Sequence, residues 1–124
     1  MRIDIEQEED ICVLRLSGHL LAGADETFLQ KKADEIKSRN CDKVLADLRE
    51  LASLGSTGVG FLLGVYASVA KRPGGRFVLV GPTHLVSRVL EVTRLTSVLT
   101  IVQDMASGMA ELQDKVKSQA GSSL

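Results

Sequence analysis

Residues 44–66, VLADLRELASLGSTGVGFLLGVY, constrain this chain more than any other stretch. Val44-Leu45-Ala46-Asp47-Leu48 is a short apolar run of the kind that forms a strand buried on both faces of a sheet. A loop pinned by Leu51 and Leu54 follows, then Gly55-Ser56-Thr57-Gly58, then a helix in which Val59, Leu62, Leu63, Tyr66 and Val69 recur at helical spacing. Gly55 offers a backbone free to take positive φ, and Ser56 or Thr57 is placed to cap the helix. Gly60 and Gly64, four apart, make a flat stripe that suits close packing on a sheet. Each costs about 1 kcal/mol of helix propensity relative to Ala, so a packing reason is expected. A buried strand that turns directly into a helix requires layered α/β architecture.

The flanking sequence fits that requirement. Ile3 and Ile5 alternate with polar residues, and Ile11–Leu16 follows a Glu8-Glu9-Asp10 turn, which predicts an opening antiparallel hairpin. Gly18–Gly23 reads as a loop. Asp25 is a candidate cap for a helix to about Ser38, with Phe28, Leu29, Ala33 and Ile36 inward. Lys71-Arg72-Pro73-Gly74-Gly75 ends the central helix, and Arg76–Val80 is another buried strand. Pro82-Thr83 opens a helix to about Val92, Val98–Val102 is a last strand, and Asp104 or Ser107 caps a final helix. In that helix Met105, Met109, Leu112 and Val116 share one face, a core stripe. The expectation is one α/β domain over 1–118, with a mixed, mostly parallel sheet of about five strands and about four helices. Residues 119–124 read as a polar tail.

Composition narrows the functions. The net charge of −1 supplies no basic field for nucleic acid, and no apolar run reaches membrane-spanning length. The N-terminus has no signal-peptide pattern, so a cytoplasmic protein is expected. Cys12 and Cys41 do not make a disulfide framework and read as reduced thiols. His19 and His84 are isolated from other ligand types, so no metal is expected, and no cofactor motif is present. Gly55–Gly58 lacks the Gly-x-Ser-x-Gly spacing of a nucleophile elbow and the Lys-Ser/Thr ending of a phosphate loop, so the chain does not read as an enzyme.

Asp47–Gly81, DLRELASLGSTGVGFLLGVYASVAKRPGGRFVLVG, resembles the core motif of STAS domains, the family of anti-sigma-factor antagonists. Leu16-Ser17-Gly18-His19-Leu20 is similar to the family's Gly-x-Leu/Ile turn, and Val89–Thr93 to its following helix, so the resemblance spans about Ile3 to Leu112. It implies a binding module that performs no catalysis. The implied partners are an anti-sigma factor that is also a serine kinase, and a PP2C-type phosphatase; a dimer is left open. The phosphoacceptor falls on Ser56, with Thr57 the second choice, and the implied partner surface comprises Gly18, His19, Leu21, Gly55, Ser56, Thr57, Gly58 and Val59. Three positions depart from the family pattern: Gly55 and Leu21 stand where acidic residues are usual, and Arg94 stands where glycine is common. The family also includes small cytoplasmic subunits of lipid-transport ABC systems, which makes an unphosphorylated scaffold the alternative.

Overall fold

A computed structural model of the chain describes residues 2–8, 10–20 and 26–112. Strands β1 (Arg2–Glu8) and β2 (Ile11–Leu20) form the expected hairpin, followed by α1 (Glu26–Ser38), β3 (Lys43–Leu54), α2 (Ser56–Ala70) and β4 (Arg76–Val80). Then come α3 (His84–Val92), a 3-10 turn over Leu95–Ser97, β5 (Thr100–Val102) and a helix α4 at 105–112. The five strands lie in sequence order, β1 antiparallel to β2 and every later pair parallel. This is the mixed α/β sheet that the hydrophobic pattern predicts.

Alternation along the strands divides the core into two layers. Val44, Ala46 and Leu48 of β3 and Phe77 and Leu79 of β4 face α1, α2 and α3. Leu45, Val78 and Val80 face the other way, onto Met105, Met109 and Leu112 of α4. The methionine stripe is therefore core, as its spacing implies. Gly108 lets α4 sit close: a Cβ there would lie 2.6 Å from Leu45 Cδ1 and 2.8 Å from Val80 Cγ2. Asp104 caps this helix, its Oδ1 accepting from Ser107 N at 2.7 Å, which holds the Asp104 carboxyl below its usual range. Val116, the Asp25 cap and the 119–124 tail fall outside the described residues.

Strand β3 is longer than its apolar run. It continues through the stretch expected as a loop, and two irregularities in its pairing with β2 explain how. Arg15 faces Asp47 while Ser17 faces Glu50, and Gly18 faces Leu51 while His19 faces Ser53. Each step places one extra residue in β3, and each such bulge re-phases the side-chain alternation. Leu48, Leu51 and Leu54, three apart rather than two, consequently all enter the same core layer. β2 extends correspondingly to Leu20, with Gly18 at φ 85°, where the sequence reads as a loop.

Three local expectations are corrected. Cys12 and Cys41, expected as separate reduced thiols, form a disulfide with Cα atoms 5.9 Å apart. Cys12 pairs in register with Val44, so the turn from α1 into β3 brings Cys41 beside it. Gly55 is extended rather than left-handed, at φ −111° and ψ −171°, and it is itself the N-cap of α2. The Gly60–Gly64 stripe does not lie on the sheet. Phe61, Leu62, Val65 and Val69 are the buried face of α2, and a Cβ on either glycine would meet nothing within 4 Å. Val59, Leu63 and Tyr66 pack at the margin of that face, half-buried.

Candidate functional site

Helices α1, α2 and α3 each follow a parallel strand, so their N-termini gather at the carboxyl edge of the sheet. In open α/β sheets this edge is where ligand-contacting residues collect. The end of β3 delivers Leu54 into the core, and Gly55 turns the chain outward so that Ser56 becomes the first helical residue. Ser56 is exposed, Thr57 is half-buried and Gly58 is buried. The first helical hydrogen bond is Val59 N to Gly55 O at 2.9 Å, and Gly55, the N-cap residue, supplies no side-chain cap. The hydroxyl expected to cap thus lies one residue too far along. Ser56 is exposed on the first turn, at the positive end of a fifteen-residue dipole.

The second group of expected residues meets the first. Parallel pairing sets His19 opposite Ser53 and Leu20 opposite Leu54, which brings the end of β2 alongside the approach to Ser56. His19 Nδ1 and Ser53 Oγ share a hydrogen bond of 2.6 Å, whose donor follows the imidazole tautomer. Leu21 lies outside the described residues. The pairing of Ser53 with His19 is not visible in the sequence, because it depends on the second bulge of β3. Gly58 is buried, and Val59 is half-buried at the margin of the inward face of α2.

A cleft of about 370 Å³ opens beside Thr57, between α1 and α2, with Leu29, Ala33, Phe61 and the two outward glycines among its walls. Farther back, Asp47 is the one buried charged side chain among the described residues. Arg49 clasps it with Nε to Oδ1 and Nη2 to Oδ2, both at 2.9 Å, and Arg49 N donates to Oδ1 at 3.1 Å. Arg15 Nε lies 3.7 Å from Oδ2. These donors, the Arg49 side chain foremost, hold the Asp47 carboxyl below its usual range against the opposing effect of burial. The pair braces the sheet where β3 first departs from regular pairing. Among the described residues no cluster of ligating side chains could hold a metal ion, and no helix is long and apolar enough to cross a membrane.

The STAS domain family model matches residues 2–108, most of the chain. This protein belongs to the STAS family. The departure at Arg94 now has a structural meaning: its φ of 62° is the left-handed conformation that glycine adopts freely. Among relatives, the anti-sigma F factor antagonist of Paenibacillus polymyxa is 24% identical over 113 residues, covering 91% of this chain and 96% of its own length. The unphosphorylated form of the anti-sigma factor antagonist SpoIIAA superposes with a TM-score of 0.71 at 23% identity, over 94% of this chain and 97% of that one. The phosphorylated form of the Bacillus cell fate determinant SpoIIAA gives 0.68 at 20% identity, over 90% and 99%. At these identities the solved structures establish the shared fold.

Proposed function

We propose that this STAS domain is an anti-sigma-factor antagonist: it binds an anti-sigma factor that is also a serine kinase, and phosphorylation of Ser56 releases it. The observation that carries the reading is the exposed Ser56 on the first turn of α2, directly after an extended glycine. The names of relatives across nearly the full chain support the same role.

The chemistry asks little of this chain beyond presentation. The kinase transfers a phosphoryl group from its nucleotide to Ser56 Oγ, the hydroxyl proton leaves, and a PP2C-type phosphatase hydrolyses the ester. The new group sits at a helix N-terminus, where the dipole and first-turn amides favour an anion, so the fold is not penalised. The bound partner meets nearly two negative charges where a neutral hydroxyl had been. A thousandfold loss of affinity needs about 4 kcal/mol, within reach of desolvation and like-charge repulsion at one buried contact. His19 and Thr57 complete the contact surface around Ser56. The domain acts as substrate and competitor, not as a catalyst.

Intact-mass spectrometry of the protein from its native host, with peptide mapping of 44–71, tests this. A partial species heavier by about 80 Da, the mass of one phosphoryl group, mapped to Ser56 supports the switch. No phosphate under any growth condition refutes it. That outcome turns the reading to the unphosphorylated scaffold, which the neutral Gly55 beside the acceptor favours. Ser56→Asp should weaken binding of the anti-sigma kinase while leaving the thermal midpoint nearly unchanged.

A further inference from the structure

The disulfide between Cys12 and Cys41, 29 residues apart, closes a loop that contains most of β2 and the whole of α1. Both cysteines are buried, at 0% and 1% exposed, in the same core cluster as Leu29 and Ile36 of α1. Those two are the only buried residues of α1, whereas α2 buries five. The C-terminal end of α1 is otherwise tied down by exposed hydrogen bonds, Gln7 Nε2 to Arg39 O at 3.1 Å and Arg72 Nη2 to Lys37 O at 2.8 Å. Water competes for such bonds, so their net hold is small. The covalent bond is what fixes this end of α1 to β2. The fold does not need it, because a chain of 124 residues with a core this extensive folds without cross-links.

We propose that Cys12 and Cys41 are a redox switch: the disulfide clamps α1 to the sheet, and the dithiol lets α1 lift while the strands stay folded. The oxidant is a small disulfide of the glutathione class. One protein thiolate attacks it, forming a mixed disulfide and releasing one small thiol; the second protein thiolate then displaces the other. Two protein thiols are oxidised, and one small disulfide is reduced to two thiols, which take up the two protons. Excess small thiol drives the same steps backwards. With α1 down the sulfurs are covered, so exchange in either direction passes through the lifted form. α1 also supplies Leu29, Ala33 and Lys37 to the cleft beside Thr57, so its lifting parts that cleft. The proposal does not depend on Ser56 being phosphorylated.

Equilibrating the full chain in mixtures of reduced and oxidised glutathione, from both redox directions, tests it; acid quenching, alkylation in denaturant and mass spectrometry then count the free thiols. The fraction oxidised should follow the mixture and agree from both directions. Amide exchange over seconds to minutes compares the two forms. Reduction should speed exchange through α1 by about tenfold or more, while 44–47 of β3 and all of β4 stay protected. In Cys12→Ala/Cys41→Ala, α1 should exchange as in the dithiol whatever the mixture. A bond that opens only in denaturant, or that never forms, overturns the proposal. So does α1 protection that reduction leaves unchanged, or that is lost together with β3 and β4. An α1 that stays protected in Cys12→Ala/Cys41→Ala overturns it equally.

Discussion

Reducing the Cys12–Cys41 bond tests whether the two cysteines support the fold as the structure indicates. The bond joins residues 29 apart in sequence, tying the start of β2 to the turn between α1 and β3. Closing a loop of that length removes about 12 cal/mol/K of entropy from the unfolded chain, about 3.6 kcal/mol at 25 °C. Domains of this size are typically stable by about 5–15 kcal/mol, so the bond accounts for a large share. Urea titration followed by far-ultraviolet circular dichroism, with and without reductant, reads the effect directly. Reduction should lower the midpoint by about 1–4 M, given a slope of about 1–3 kcal/mol/M. The Cys12→Ala/Cys41→Ala variant should be insensitive to reductant, which separates the cross-link from the side chains. A protein shown by mass to be oxidised, yet unfolding at the same urea concentration after complete reduction, would refute the reasoning.

Three further outcomes follow from particular contacts. Thr83 Oγ1 accepts from Val86 N at 3.4 Å and donates to Leu51 O at 3.2 Å, so Thr83→Ala should cost about 1–2 kcal/mol in denaturant titration. Arg94→Gly relieves a left-handed residue and should stabilise by about 0.5–1 kcal/mol, the conformational gain outweighing the added freedom of the unfolded chain; a loss would contradict it. Asp47→Asn should cost about 2–3 kcal/mol at neutral pH. Because the native Asp47 pKa lies below its unfolded value of about 3.9, this contribution is fully present above that value. It drains as pH falls through the native pKa, so the gap between wild type and variant should narrow in acid and not in base.

Much of the fold is legible where one residue pattern serves one structural demand. Val44–Leu48 reads as a doubly buried strand because every position is apolar or, at Asp47, is neutralised locally. Pro82-Thr83 reads as a helix start because threonine supplies the N-cap acceptor, with proline just ahead of it outside the helix. Legibility fails where tertiary pairing decides. Leu48, Leu51 and Leu54 have the wrong period for a strand, and only the two bulges opposite Arg15–Ser17 and Gly18–His19 make them one. Nothing local marks Cys12 and Cys41 as neighbours; their closeness follows from the parallel register of β2 and β3. Gly60 and Gly64 signal close packing by spacing alone, but the bulk of Phe61, Leu62 and Val65 decides which side of α2 turns inward. At the site, Ser56 and His19 are visible as residue types at suggestive places, while the role of Ser53 exists only once the strands are aligned.

The extra length of β3 gives the sheet a stiffness gradient. Its pairing with β4 ends at Asp47, whereas its pairing with β2 continues to Leu54. Residues 48–54 therefore form a two-stranded ribbon, bulged at its root, seated on the core through Leu48, Leu51 and Leu54 and held on the open edge by Thr83 Oγ1 on Leu51 O. Ser56 is mounted at its tip. Amide exchange should record this as two regimes, slow through 44–47 and faster through 48–54, since a ribbon with one paired edge opens without dismantling the five-stranded core. If the proposed function holds, a partner docking on Ser56 meets a ribbon hydrogen-bonded along one edge only, and Thr83 is the residue that links this ribbon to α3.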